Sequence, residues 1–385
     1  MKWSLWRVLV CSLLLGGGLV GCSSNGDEEE VSEATPLQSF DASAELTTLW
    51  SASVGSGTDG KYVRLQPALF RDEVFVTDVE GVVVALDQES GKRLWRTELE
   101  LPVSSGVYAG YGIVVLGTQD GEVIALDTTD GKERWRAQVT SEVLSVADSN
   151  GDVVVVRTID EKVVGLDNRS GERRWIFESS QPVLSLRGTS DPVIQDDRVY
   201  VGFGNGSVKA LLARNGVLRW EQAVAEPEGR TELERMIDVD ASPLVVDGVV
   251  YVVSYQGNVI ALEADRGQLI WQRKASSYES LSMGFGYLYM ADEKGLLSAL
   301  DKNSNAIIWQ QKELEHRELG TPVVVSSYVA VADYQGYVHF VSQTDGSFVA
   351  RTRIDSDGVR GRMVALGGTL YAYGNSGKLV AIKIQ

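Results

Sequence analysis

Two histidines, two cysteines and scattered serines and aspartates are all that this 385-residue chain offers to catalysis or metal binding. His316 and His339 fall in different sequence units, and neither has a histidine, cysteine or aspartate neighbour at the spacing a metal site needs, so both read as surface or loop residues. Ser190 and Ser242 sit in no nucleophile-elbow context. Gly202-Phe203-Gly204-Asn205-Gly206 is glycine-rich, but it joins two strand-like runs and opens no helix, and a phosphate cradle needs that helix N-terminus. Asp238 and Asp240 could start a calcium site, yet the four or more further oxygens that calcium takes are not in the neighbouring sequence. Asp87, Asp127, Asp167 and Asp301 precede turns and are expected to cap their own backbone. Catalytic residues: none; metal ligands: none; cofactor: none. What remains is recognition by loops.

The loops are set by a repeat. Aligned on tryptophan, the copies run Gly81 to Trp95, Gly121 to Trp135, Lys162 to Trp175, Gly206 to Trp220, Gly257 to Trp271 and Gly295 to Trp309. A seventh copy, Gly336 to Ala350, has alanine in place of tryptophan, and an eighth, Gly377 to Gln385, stops short. The missing end of the eighth copy lies at the front of the chain, in Leu49-Trp50. Periods of roughly 40 to 50 residues indicate propeller blades. Within a unit, Asp247-Gly248 turns one β-branched run into the next, Gln256-Gly257 leads into the doubly buried run Asn258 to Glu263, and Arg266-Gly267 turns into the tryptophan strand. The fold class is therefore all-β: an eight-bladed β-propeller of four-stranded antiparallel blades, residues 47–385, closed by pairing an N-terminal strand with the last blade. Trp50, Trp95, Trp135, Trp175, Trp220, Trp271 and Trp309 are its docking residues. Each indole is expected to lie against the neighbouring unit, with its N–H near the glycine turn that precedes the last strand.

Three connections from a tryptophan strand to the next blade are long: Trp50 to Pro67, Trp175 to Pro192 and Trp220 to Pro243. The second and fourth strands of an antiparallel blade run the same way, so these connections emerge on one face, the last two side by side. The first of that pair carries Pro182 to Gly188 and the second carries Arg230 to Asp240. In the second, Thr231 and Glu234 have capping-box spacing for a short helix. Loops on a rigid scaffold are where recognition resides.

Residues 1–21 read as an export signal, with Lys2 and Arg7 ahead of the apolar run Val8 to Leu15. Residues 22–46, rich in Ser, Asn, Gly, Asp, Glu and Ala, lack the apolar surface to fold and read as a flexible tether. Both cysteines, Cys11 and Cys22, precede the folded part, which therefore has no disulfide framework. A net charge of −17 repels phosphate backbones, so nucleic acid is not an expected partner.

Leu19-Val20-Gly21-Cys22 resembles the lipobox of bacterial lipoproteins. The resemblance implies cleavage before Cys22 and lipid attachment there, the alternative being an ordinary secretory signal with a chance cysteine. Ser23, not aspartate, follows the cysteine. By analogy with that class, this implies the outer membrane of a Gram-negative bacterium, facing the periplasm. The unit Ala-Leu-Asp-x-x-(Ser/Thr/Asp)-Gly-x-x-x-Trp resembles the repeat of quinoprotein dehydrogenases, also eight-bladed, which speaks for fold more than activity. Those enzymes are marked by adjacent disulfide-forming cysteines and a calcium-bound quinone, and the mature chain keeps only Cys22.

The lipobox, tether, eight units and two loop motifs, Leu184-Ser185-Leu186-Arg187-Gly188 and Asp238-Val239-Asp240-Ala241-Ser242-Pro243, together resemble the BamB family of outer-membrane protein assembly factors. That resemblance implies a non-enzymatic scaffold of the β-barrel assembly complex. It implies that Leu184, Leu186, Arg187, Asp238 and Asp240 bind the periplasmic domains of a BamA-like central barrel subunit, with unfolded outer-membrane proteins as further candidate partners. Two accounts of these residues stay open: direct contact with the partner, or pairing of Arg187 with Asp238 or Asp240 to hold the loops in shape. The alternative functions are a periplasmic quinoprotein-type dehydrogenase and a ligand-binding propeller.

Overall fold

Alternating β-branched runs separated by positive-φ turns fold into sheets, and a computed structural model, describing residues 34–180, 184 and 190–385, shows eight of them. Blade one comprises Ala68–Phe70, Glu73–Thr77, Val82–Asp87 and Arg93–Glu98. Six further blades repeat this order through Phe348–Arg353. Blade eight is composite: Val364–Leu366, Thr369–Tyr373 and Lys378–Ile384 are completed by Leu46–Ser53, paired antiparallel from Leu46 with Ile384 to Ser53 with Lys378. The expected eight-bladed propeller, closed by its own two ends, is thus the observed architecture. Blade two carries one addition the repeat does not announce, the two-residue strand Arg64–Leu65 parallel to Val103–Gly110. No described residue is helical.

The third strand of each unit is buried on both faces, as in Val259-Ile260-Ala261-Leu262, because neighbouring sheets cover it from both sides. Asp247 and Gly248 both have positive φ (52° and 76°), the backbone a two-residue hairpin requires.

The seven indoles make one contact seven times over. Trp50, Trp95, Trp135, Trp175, Trp220, Trp271 and Trp309 each donate their N–H to a main-chain carbonyl of the following blade, those of Gln88, Thr128, Asn168, Ala213, Ala264, Lys302 and Gln343, at 2.8–3.0 Å. In six of the seven the ring lies on that blade's turn glycine, so the tryptophan and glycine that meet belong to neighbouring repeats and not to one. Beneath Trp271 the turn residue is Asn305, with φ 54°, a residue that tolerates the left-handed region.

Ala350 has a structural reason. The turn its side chain would dock on does not exist in blade eight, where the third strand ends at Ile384 and the fourth begins anew at Leu46. The space is taken by residues 34–45, which the composition assigns to the tether but which lie against blade seven. Ser43 and Ala44 donate to the Val349 carbonyl (3.0 and 3.1 Å), and Glu45 exchanges main-chain bonds with Gln385. Phe40 stacks on Phe348 at 5.4 Å, an apolar handhold that averaged composition hides. Ala350→Trp is therefore expected to cost about 1–3 kcal/mol by overpacking, measured as a lower denaturation midpoint. A gain in stability would show that any blade accepts the indole.

A candidate docking face

The connections from fourth to first strands and the turns from second to third strands share one face of the disc. Leu184, on the connection after blade three, is 46 % exposed, and Leu233, on the connection after blade four, is 67 % exposed. Leu184 borders a cavity of about 210 Å³ lined also by Gly204, Pro227, Arg235, Met236 and Ile237. The capping box forms: Thr231 N donates to Glu234 Oε2 and Glu234 N to Thr231 Oγ1, both at 3.1 Å. Yet only one turn follows, through Arg235 N to Thr231 O, not the expected helix, because the chain must then run down to Asp238 and bridge to Tyr255. Leu186 and Arg187 lie outside the described residues, as does Cys22.

The acidic pair expected on this surface is buried instead. Asp238 is 1 % and Asp240 4 % exposed, and the Asp238 carbonyl accepts from Tyr255 N (2.8 Å). Burial raises the Asp240 carboxyl to about 6, opposed by Arg64 and Arg157. Beneath it, Arg157 and Glu161 form an ion pair at 2.6 Å, with 1 % and 6 % of their side chains exposed. Glu161 Oε2 accepts from Gly204 N (3.2 Å), joining blade three to blade four, and the Arg157 guanidinium lies 5.1 Å from the Phe203 ring. The glycine-rich stretch thus serves packing: a Cβ on Gly202 would collide with Val239.

The serines set aside as nucleophiles stitch the connections together. Ser190 Oγ donates to Ala241 O (3.1 Å) and accepts from Gly202 N (3.1 Å), and Ser242 Oγ donates to Asp191 Oδ2 (3.0 Å). Asp191 also accepts from Val146 N (2.7 Å), and burial raises its carboxyl. At the hub, Arg64 donates to Glu279 Oε1 (3.0 Å) and Thr321 Oγ1 to Glu279 Oε2 (2.6 Å). They line a cavity of about 50 Å³ together with Asp191, Asp240 and Arg362. Sequence reasoning missed Arg64, Asp191 and Glu279, since the repeat register puts each near the start of an inner strand but no spacing links them. Asp87, Asp127, Asp167 and Asp301 do cap their turns, as in Ser304 N to Asp301 Oδ1 at 2.8 Å. No cluster of three metal-ligating side chains occurs among the described residues. His316 is exposed, whereas His339, expected at the surface, is fully buried.

The sequence model of the family described as outer membrane protein assembly factor BamB matches residues 79–311. A Pseudomonas aeruginosa protein named outer membrane protein assembly factor BamB is 49% identical, over 97% of this chain and 98% of its own. The crystal structure of BamB from Moraxella catarrhalis superposes with a TM-score of 0.81 at 26% identity, covering 88% of this chain and all of that one. A quinohemoprotein alcohol dehydrogenase from Comamonas testosteroni reaches 0.69 at 15% identity, covering 88% of this chain and 76% of its own, a likeness of fold alone. A family match across more than half the chain and a relative at nearly half identity over almost its whole length leave one conclusion: the chain belongs to the BamB family.

Proposed function

We propose that the chain is a non-enzymatic scaffold lipoprotein of the outer-membrane β-barrel assembly complex. It is anchored by acyl chains on Cys22, faces the periplasm, and docks the periplasmic domains of a BamA-like central subunit through the face that carries Leu184. The observation that carries the docking reading is the exposed Leu184 at the edge of a mainly apolar cavity that Met236 and Ile237 also line, above a buried floor. Large apolar side chains beside a pocket, ringed by polar residues and held by a preformed scaffold, are what a binding hot spot consists of. The burial of Asp238 and Asp240 favours a supporting role for the acidic pair over direct contact with the partner. The family's printed name supports assembly at the outer membrane. Clients would meet the partner this scaffold positions.

Leu184→Glu tests the reading. Co-purification with the central subunit is expected to fall by about 30-fold or more, as for loss of a hot-spot contact of at least ~2 kcal/mol, with the melting temperature unchanged. Leu366→Glu, at the exposed (51 %) end of the first strand of blade eight, is expected to leave binding intact. Retained binding in the Leu184 variant would remove this face from the partner.

A further inference from the structure

Residues 34–45 cross blade seven from the docking face to the opposite face, and the contacts holding the first half of the segment converge on one buried histidine. Thr35 N donates to Glu315 O (3.2 Å), Arg317 Nη1 donates to Thr35 O (3.1 Å), and Arg351 Nη1 donates to Gln38 O (2.9 Å). The Arg351 guanidinium lies 5.0 Å from the Phe40 ring and 5.1 Å from that of Phe348. Behind it sits His339, whose Nδ1 receives the Arg351 Nε–H at 2.9 Å and whose Nε2 lies 3.0 Å from Asp333 Oδ2. Arg317 binds the same carboxylate, Nε to Oδ2 at 2.8 Å.

This geometry dictates a protonation state. An arginine Nε can only donate, so His339 Nδ1 must hold a lone pair, and the ring proton sits on Nε2, donated to Asp333. The imidazole is neutral while the arrangement stands. A second proton would have to go on Nδ1, where it meets the Arg351 N–H head-on. The charged groups facing the ring are Asp333 on its turn, Arg351 on the neighbouring strand and Arg317 on the preceding connection, with Tyr337 on its own strand and Glu313 beside Arg351. The first three carry one net positive charge with a neutral ring and two with a protonated one.

We propose that residues 34–45 form a proton-released latch, clamped to blade seven while His339 is neutral and freed when its Nδ1 is protonated and Arg351 is expelled. Burial first, then Arg351 and Arg317, hold the imidazole below its ordinary 6.5, with Asp333 opposing. The open form, in which Arg351 no longer faces the ring, binds the proton more readily than the closed one, so closure is favoured at higher pH and weakens as pH falls. On the reading that Cys22 is acylated, opening would move the point at which the chain leaves the disc from Thr35, held on the docking face, to Leu46, on the opposite face.

Hydrogen exchange on the purified chain at about pH 7.5 and about pH 5, corrected for intrinsic rates, reads the latch at the amides of Thr35, Ser43 and Ala44. Protection there is expected to drop by about tenfold or more in acid, while the strands of blade seven keep theirs. His339→Gln keeps a neutral acceptor and donor in place, and is expected to hold protection at both pH values. Arg351→Ala, which buries no unpaired charge, is expected to lose protection at both. Protection that ignores pH in the unmodified chain, or an acid loss that persists in His339→Gln, overturns the proposal. The exchange experiment needs no lipid, so its outcome is separate from the anchor reading, which the mass of the N-terminal peptide decides.

Discussion

Replacing Trp175 with alanine is expected to destabilise the propeller by about 3–5 kcal/mol, read as a drop in denaturation midpoint with binding-competent fold retained at low temperature. The indole is 7 % exposed, donates to Ala213 O at 2.8 Å, and covers Gly216 of the next blade. Its removal takes away an aromatic side chain, leaves a cavity between two stiff sheets and orphans a carbonyl. The reciprocal change sharpens the test. Gly216 has φ 69°, and a Cβ there would stand 2.5 Å from Trp175 Cε3, so Gly216→Ala combines left-handed backbone strain with a clash. The double variant is expected to be more stable than the sum of the single losses predicts, because removing the indole relieves the clash. Strict additivity would mean that indole and glycine do not form one device.

The second large effect lies beneath the docking face. Glu161→Ala is expected to cost about 3–5 kcal/mol, the usual consequence of stripping one partner from a buried ion pair. Arg157 is 1 % exposed, and among the described residues its Nε and Nη1 make no hydrogen bond. Without Glu161 it would keep only the Phe203 ring and the more distant Asp240. The same change frees Gly204 N, so blade three would lose its tie to blade four where the two long connections emerge. Weaker co-purification with the central subunit is therefore expected alongside the lower midpoint. Arg157→Met/Glu161→Leu is expected to recover most of the stability, since apolar replacements of similar volume remove both buried charges. Partner binding that recovers with it would show that Glu161 matters for rigidity and not for charge.

The propeller itself was legible because its evidence is local and repeated. A turn dipeptide, a strand period and a tryptophan at a constant offset each say little, but eight registers of the same pattern admit only a closed ring. The site was less legible for a physical reason. Leu184 lies within a recognisable motif, and its exposure follows from its place on a long connection. Asp238 and Asp240 share the polarity of surface residues, and nothing in their spacing shows that the chain folds over them. Asp240 is buried facing Arg64 and Arg157, which arrive from the strand added to blade two and from blade three. The Thr231–Glu234 box is a local signal that formed locally, yet the turn it starts is cut short by a bridge to Tyr255 that no local rule contains.

His339 makes the same point more sharply. By sequence it is a lone histidine on a strand. In the structure, Asp333 reaches it from six residues upstream, Arg351 from the neighbouring strand, and Arg317 stands behind the same carboxylate from the preceding connection. The N-terminal segment arrives from about 300 residues away in sequence to use the two arginines.

Taken alone, the order of residues determined the all-β class, the count of eight blades, the seven docking indoles, the ends that clasp each other and the face from which the long loops emerge. Periodicity within one unit carries that information. Tertiary structure decided which blade each indole docks on, why position 350 holds alanine, which charges are buried under the loops, and that residues 34–45 are held against the disc. Those outcomes depend on groups far apart in the chain meeting in a low-dielectric interior, where an ion pair or a lone pair on one nitrogen is worth more than any local preference.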